Sequence, residues 1–238
     1  MKNAIIIGGT SGIGKELSEI LAQKEWKVAI TGRRENLLQE IKANYPENII
    51  TAKHDVDNQK ASDEILLSLF EKLETVDLVV VSSGISELNQ ALDWELENRV
   101  IRTNVNGITK IYETIFNKFK EQGFGHLVGI TSIAAIRGNR YCPSYSASKA
   151  FQCNYLEALR WISKNEKLNI HVTDIQPGFV DTFMAKGDKL FWVVPLPKAG
   201  KQIYRAIMRR KRKKIISHRW GIVAFFSRNV PNWLMEKM

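Results

Sequence analysis

Short runs of apolar residues alternate along the chain with longer segments whose apolar residues recur every three or four positions. The runs predict buried strands at 4–7, 27–31, 49–52, 77–81, 126–131, 169–175 and 214–217. The segments between them predict helices at 12–24, 35–44, 58–73, 93–121, 144–164 and 198–211. Strands separated by helices need crossovers, which make a sheet parallel, and strands without polar alternation are covered on both faces. The pattern predicts an α/β fold, a doubly wound parallel sheet of about seven strands flanked by helices.

The 238 residues suffice for one large domain with a full core. We expect that domain to cover 1–217, followed by a basic, aromatic helical extension at 218–238 that packs on it or at an interface. The first residues fit a strand better than a signal peptide, and no apolar run reaches the ~18 residues of a membrane helix. Two cysteines, Cys142 and Cys153, cannot form a disulfide framework, so we expect a cytoplasmic location.

A glycine-rich turn follows the first predicted strand and opens the first predicted helix. Glycine permits a tight turn and a close approach of backbone to an anion, and a helix N-terminus offers free N–H groups. This placement favours a site for the pyrophosphate of a dinucleotide. The residues of that site are Gly8, Thr10, Ser11, Gly12, Ile13 and Gly14. The alternative is a glycine-rich connection that binds nothing.

The second predicted strand ends in Thr31-Gly32-Arg33-Arg34, without the acid that usually binds the ribose hydroxyls of NAD. Arginine can hold a 2′-phosphate by charge-assisted hydrogen bonds, whereas an acid would repel it. The segment therefore favours NADP over NAD, with Arg33 the preferred contact and Arg34 beside it. The alternative is two solvated arginines at a helix start.

Tyr145 and Lys149 lie four residues apart on a predicted helix and therefore share one face. A tyrosine is a poor base at neutral pH, but a nearby ammonium lowers its pKa. Such a pair can donate or accept a proton on a hydroxyl or carbonyl oxygen. Taken alone, this spacing is common and usually carries no function.

Several further motifs occur in the order typical of one family. Over residues 3 to about 185 the chain resembles the short-chain dehydrogenase/reductase family, with its Tyr-x-x-x-Lys active site. The matching positions are the glycine turn (with Ile7 in place of the usual Thr), Asp55-Val56, Gly84, Asn104, Ser132, Tyr145, Lys149, Pro177-Gly178 and Thr182. Val81-Ser82-Ser83-Gly84 departs from the usual Asn-Asn-Ala-Gly, so the polar support beneath the cofactor is expected to differ.

The resemblance implies an oxidoreductase in which hydride passes between a nicotinamide and a substrate carbon. It implies that Tyr145 is the general acid in reduction and the general base in oxidation, and that Lys149 lowers the pKa of the tyrosine and holds the nicotinamide ribose. Ser132 would bind the substrate oxygen, and Asn104 would support a water linking Lys149 to solvent. The implied cofactor contacts add Asp55, Val56, Ser83, Gly84, Pro177, Gly178, Val180 and Thr182. No metal site is expected.

The substrate is expected to meet two segments, 136–144 and 179–197. The second is apolar and aromatic, and includes Phe179, Met184, Leu190, Phe191 and Trp192. It favours an apolar carbonyl or alcohol as substrate. An equally weighted alternative is that these residues only pack the segment onto the body. We expect NADPH-dependent reduction of a carbonyl. The rivals are a catalytically silent nucleotide-binding regulatory protein and a membrane-peripheral protein that acts through its basic tail.

The charge is concentrated near the C-terminus. Residues 198–238 carry twelve Lys and Arg against one acid, within a chain whose net charge is +10. The run 209–214 consists of six basic residues, which favours either a solvated helix end or an anionic partner. With the aromatic stretch that follows, residues 209–238 could contact the inner face of a membrane, cover the substrate segment 179–197 or meet a second subunit. The family resemblance implies a homodimer or homotetramer, and nucleic acid is not expected as a partner.

Overall fold

Seven strands form one sheet in which every neighbouring pair is parallel, in the order β3-β2-β1-β4-β5-β6-β7. The computed structural model describes residues 2–183, 191–231 and 233. The strands are β1 Asn3–Ile7, β2 Lys27–Gly32, β3 Ile49–Lys53, β4 Leu78–Val81, β5 Phe124–Ile130, β6 Asn169–Pro177 and β7 Lys213–Ile216. The prediction of a doubly wound parallel sheet is confirmed.

Helices cover both faces of this sheet. They are α1 Gly12–Ala22, α2 Glu35–Asn44, α3 Gln59–Leu73, α4 Trp94–Ile101, α5 Ile108–Gln122, α6 Pro143–Asn165, α7 Leu196–Met208 and α8 His218–Asn229. A π-helical turn, Arg102–Gly107, joins α4 to α5, and a 3₁₀ turn, Ile133–Ile136, follows β5. One core layer includes residues of α1, α2 and α7, and the other includes residues of α3, α5 and α6.

The first strand shows why its residues are continuously apolar. Ala4 and Ile6 belong to the core on one face, and Ile5 and Ile7 to the core on the other. All four are fully buried, because side chains alternate across a strand and both faces carry helices. The sequence pattern without alternation was therefore a correct signal of a sheet buried on both sides.

The connections leave β1 in opposite directions, since β2 and β3 lie on one side of it and β4 on the other. In open α/β sheets, ligands bind at such a switch point, outside the carboxyl ends of the strands. The glycine turn after β1, the loop after β4 and the segments after β5 and β6 all emerge at this edge.

Two helical predictions differ from the structure. The segment predicted at 93–121 contains two α-helices separated by the π-helical turn. The helix predicted to reach residue 211 ends at Met208, because Arg210 takes a left-handed φ of 49° and the chain turns there towards β7. The basic run 209–214 is therefore an exposed turn plus the start of a strand.

Candidate active site at the carboxyl edge of the sheet

The glycine turn after β1 has no room for side chains at three positions. Gly8 has a φ of +86°, and a Cβ there would lie 2.7 Å from the backbone nitrogen of Ser83. Gly12 has a φ of +55°, and a Cβ on Gly14 would overlap the carbonyl oxygen of Gly8. The turn thus packs backbone against backbone directly before the N-terminus of α1, which is the geometry that a pyrophosphate needs.

Arg34 reaches back to this turn. Its Nη2 donates to Thr10 Oγ1 and to Ser11 Oγ, each at 2.7 Å. Arg33 is exposed and makes no hydrogen bond or ion pair to any described residue. The guanidinium held beside the turn is therefore that of Arg34, and the preference for Arg33 as the contact of a 2′-phosphate stays a prediction.

The loop after β4 borders the same turn, and the loop after β3 packs against the π-helical turn. Ser83 abuts Gly8, and a Cβ on Gly84 would lie 3.3 Å from Lys149 Nζ and 3.2 Å from Asn104 Oδ1. Val56 is buried, and its carbonyl would meet a Cβ on Gly107 of the π-helical turn, whereas Asp55 is exposed. The altered Ser82-Ser83 segment thus still brings backbone and a glycine to the glycine turn and to Lys149.

Asn104 is fully buried within the π-helical turn. Its side chain clamps the backbone of Ile85, because Oδ1 accepts from Ile85 N at 2.9 Å and Nδ2 donates to Ile85 O at 2.8 Å. Nδ2 also donates to Ser148 Oγ at 3.1 Å. Asn104 therefore joins the loop after β4 to α6, and π-helical turns of this kind are often found at functional sites.

The side chains of Ser132 and Tyr145 lie within hydrogen-bonding reach of each other. Ser132 caps the 3₁₀ turn by accepting from Ala134 N at 3.1 Å, and Tyr145 lies in the first turns of α6. Burial raises the pKa of the Tyr145 phenol above its ordinary value, and a hydrogen bond with Ser132 acts in the opposite direction. The expected lowering of the pKa of Tyr145 by Lys149 stays a prediction.

Lys149 is 4% exposed, and its Nζ lies 5.9 Å from the ring centroid of Tyr145. Burial lowers the pKa of Lys149 to about 8, while Cys153 and Asp174 act to raise it. At neutral pH the side chain is therefore mostly an ammonium, which has three N–H donors. Two of them bond Ile130 O at 3.1 Å and Gln152 Oε1 at 3.0 Å.

Gln152 is the residue of this cluster that the sequence analysis did not single out. It is 1% exposed, and its Nε2 donates to the backbone oxygen of Asn104 at 2.7 Å. It therefore bridges Lys149 and Asn104 directly, whereas the expected role of Asn104 was to support a water that links Lys149 to solvent. Its spacing of three residues from Lys149 on a predicted helix was the only available signal.

The segment after β6 crosses over the glycine turn. Thr182 Cγ2 lies 3.3 Å from the position of a Cβ on Gly12, and Val180 pairs with Val194 in an isolated parallel bridge. Gly178 donates its N–H to Ile216 O at 2.8 Å. The structure therefore brings this last motif of the chain next to the first.

Aromatic side chains pack behind that segment. Trp220 of α8 is buried, with its ring centroid 5.3 Å from that of Phe179, 5.2 Å from Phe191 and 6.2 Å from Trp192. Phe191 and Trp192 remain about half exposed. Both alternatives for these aromatics thus find some support, since they pack on the body and also present apolar surface. Met184 and Leu190 lie outside the described residues.

A comparison with family models now identifies the chain. The model of the short chain dehydrogenases matches residues 2–190. The chain belongs to this family. It is accordingly an NAD(P)-dependent oxidoreductase, and the glycines of the first turn fit such a dinucleotide, because they let the backbone turn tightly directly before the N-terminus of α1.

Relatives and solved structures agree with this assignment. An uncharacterized oxidoreductase of Myxococcus xanthus is 33% identical over 184 residues, 75% of this chain and 72% of that protein. The NADP-dependent 3-hydroxy acid dehydrogenase YdfG of Escherichia coli is 30% identical over 187 residues, 74% of this chain and 71% of that protein. The closed form of a serine dehydrogenase complexed with NADP⁺ is 26% identical, with a TM-score of 0.77 over 86% of this chain and 88% of that one.

The residues that the structure describes contain no cluster of three or more His, Cys, Asp or Glu side chains that could hold a metal ion. Within the same residues, no helix is both long and apolar enough to cross a membrane.

Proposed function

We propose that this dehydrogenase uses NADPH to reduce a carbonyl group on an apolar small molecule to an alcohol. The observation that carries the proposal is the convergence of Asn104, Ser132, Tyr145 and Lys149 at the carboxyl edge of the sheet, beside Gly84. The bound nicotinamide supplies the hydride. The protein must therefore bind and orient the two reactants and provide a proton for the substrate oxygen.

Tyr145 is the proton donor in this mechanism. A phenol whose pKa is raised by burial stays protonated at neutral pH, as an acid in the reductive direction requires. Ser132, already hydrogen-bonded to Tyr145, orients the substrate oxygen and stabilises the charge that develops on it. The ammonium of Lys149 stabilises the tyrosinate that remains after transfer, and its third N–H donor is available for the nicotinamide ribose.

The preference for NADPH rests on charge at the end of β2. Arg34 lies beside Thr10 and Ser11 and no acid follows the strand, so a 2′-phosphate would meet a cation and two hydroxyls. The named activity of YdfG and the NADP⁺ complex of the serine dehydrogenase support the same preference.

The test is a fluorescence titration of the purified protein with NADPH and NADH. We expect NADPH to bind more tightly, and Arg34→Ala to weaken NADPH binding about 10- to 100-fold, the loss typical of hydrogen bonds to a charged group. Arg33→Ala measures the contribution of the other arginine, and Lys42→Ala, an exposed cation on α2, is the matched control. Tighter binding of NADH would overturn the cofactor preference, and arginine variants that leave the ratio of the two affinities unchanged would overturn its assignment to these side chains.

The substrate class is tested by a screen of carbonyl compounds with NADPH. We expect turnover of apolar ketones or aldehydes, because aromatic side chains line the segment after β6. Turnover confined to charged substrates would contradict the proposal.

Three further expectations stay predictions: the division of the chain at residue 217, the homodimer or homotetramer, and the cytoplasmic location. Sedimentation velocity tests the assembly.

A second candidate role is contact with an anionic membrane surface. The exposed face of α8 carries Ile222, Phe225 and Phe226, which are 58%, 66% and 60% exposed. The guanidinium of Arg219 lies 5.9 Å from the ring centroid of the half-exposed Trp192. We name Trp192, Ile222, Phe225 and Phe226 the aromatic patch. Residues 191–231 contain eleven Lys and Arg and no acid, which complements an anionic surface and disfavours pairing of two such patches.

The basic run 209–214 and the aromatic patch lie on different elements. The run is an exposed turn plus the first two residues of β7, whereas three of the four patch residues lie on α8, which begins two residues after that strand ends. For this membrane contact we assign the cationic partners to Arg219 and Arg228, which lie on α8 with the patch.

Vesicle sedimentation with phosphatidylglycerol or with phosphatidylcholine alone tests this role. We expect binding to the anionic vesicles only, lost in Phe225→Ser/Phe226→Ser and retained in Lys211→Ala/Arg212→Ala. Phe151→Ser, an exposed aromatic on α6, is the control. Binding that survives loss of the two patch residues, or that depends on the basic run, would refute the role of the patch.

A further inference from the structure

Gln152 occupies a position with two polar partners and almost no access to solvent. It lies on α6 three residues after Lys149, on the same side of the helix. Its Oε1 accepts from Lys149 Nζ at 3.0 Å, and its Nε2 donates to the backbone oxygen of Asn104 at 2.7 Å. Both ends of one amide are thus used, and each of its partners is itself buried.

The bridge limits where the ammonium of Lys149 can point. Ile130 O and Gln152 Oε1 take two of its three donors, and they lie on different elements, β5 and α6. The third donor is left for groups on the open side, where Gly84 approaches Nζ and the ring of Tyr145 lies 5.9 Å away. Without Gln152, a flexible lysine side chain would be fixed by a single acceptor.

The bridge itself does not conduct protons. A side-chain amide holds its N–H protons at any ordinary pH. Gln152 therefore transmits position and not protons. It couples the location of Lys149 to the π-helical turn, whose Asn104 side chain also holds the loop that carries Gly84.

We propose that Gln152 is a positioning residue of the reductase, which holds the Lys149 ammonium against the backbone of Asn104 so that its free donor faces Tyr145 and the cofactor. The proposal rests on the proposed function for its kinetic consequence, but the bridge itself makes a prediction that needs no turnover.

Removing the acceptor should make the ammonium of Lys149 less stable. In Gln152→Leu we expect the pKa of Lys149 to fall by about one unit or more below its wild-type value, since hydrogen bonds to charged groups have this strength. In Gln152→Glu, a carboxylate replaces the amide acceptor, so the pKa should rise above the wild-type value. NMR titration of protein labelled with ¹³Cε-lysine measures this, with the Lys149 resonance assigned by its loss in Lys149→Arg.

The kinetic readout is the pH profile of kcat with NADPH and a substrate found in the screen. The alkaline limb, where Lys149 loses its proton, should move to lower pH in Gln152→Leu and to higher pH in Gln152→Glu. At pH 7 we expect kcat of Gln152→Leu to fall about 10- to 100-fold, with a smaller change in the KM of the substrate. Asn154→Leu, an exposed polar residue on the same helix, is the control and should leave the profile unchanged.

The outcomes separate the inference from the proposed function. If the wild-type enzyme turns over but neither variant moves the lysine pKa or the alkaline limb, Gln152 only packs and the inference fails. If no carbonyl is reduced but the lysine titration shifts as described, the bridge stands and the proposed reaction fails. Should Gln152→Leu not fold, Gln152→Glu still decides, because an unmoved lysine pKa in that variant overturns the inference.

Discussion

Gly178 lies against the ring of Trp220, and this contact predicts that the C-terminal helix supports the segment above the cofactor site. A Cβ on Gly178 would overlap three ring atoms, so the ring would have to retreat by about 1 Å to restore an ordinary contact. The Trp220 ring packs against Phe179, Phe191 and Trp192, and its Nε1 donates to Trp192 O at 3.2 Å. Gly178→Ala should therefore cost stability and displace the segment that carries Thr182.

The magnitude follows from overpacking, which costs about 1–3 kcal/mol. For a chain of this size, each kcal/mol lowers Tm by about 2–4 °C, so we expect a fall of about 2–12 °C in thermal unfolding. Gly138→Ala is the matched control, because a Cβ there meets nothing within 4 Å, and Tm should stay constant or rise slightly. NADPH affinity should also weaken in Gly178→Ala.

A double variant tests the cause. In Gly178→Ala/Trp220→Leu the smaller side chain leaves room for the added methyl, so the double variant should be less destabilised than the sum of the two single variants. Equal melting temperatures for Gly178→Ala and Gly138→Ala, or strict additivity with Trp220→Leu, would show that the helix does not brace this segment.

Two further predictions concern single side chains. Tyr145→Phe should lower kcat about 100- to 10,000-fold while NADPH binds nearly as before in a fluorescence titration, because only the proton donor is lost; unchanged turnover would refute Tyr145 as the proton donor. His54 is buried between Thr31 and Ser62, and burial lowers its pKa from 6.5 to about 4. Because the unfolded chain binds a proton at His54 near pH 6.5 and the folded protein only near pH 4, His54 contributes stability above pH 6.5. That stability is lost as pH falls from 6.5 through 4, with roughly 2 kcal/mol lost by pH 5. Denaturant unfolding should therefore show a shallower pH dependence in His54→Gln.

The elements of the fold could be predicted from the sequence because each has a local cause. Uninterrupted apolar runs such as 4–7 identify strands buried on both faces, and periodic segments identify the helices that cover them. The π-helical turn at 102–107 could not be predicted this way, since it depends on packing of Gly107 against Val56, far away in the sequence. The end of α7 was misplaced for a related reason, because basic residues suit both a helix end and an exposed turn.

Motifs located the candidate site residues, but not their partners. The sequence favoured Arg33 over Arg34, and the folded turn distinguishes them differently by bringing the guanidinium of Arg34 to Thr10 and Ser11. Likewise, residues 209–238 form one basic and aromatic stretch in sequence, whereas in the fold the basic run ends within β7 and three of the four patch residues lie on α8. These distinctions depend on which folded element each residue lies on, and composition does not give that information.

Gln152 illustrates the limit most clearly. A glutamine between Phe151 and Cys153 on a helix fits a polar surface as well as a core, and in sequence only its spacing of three residues from Lys149 points to a partner. Its partners come from two other positions, one a lysine a turn away and one a backbone oxygen 48 residues earlier. A buried amide is costly unless both of its ends are bonded. Full burial with both ends bonded is therefore the structural reason to assign Gln152 to the catalytic cluster, and it becomes visible only once the helix and the π-helical turn are packed together.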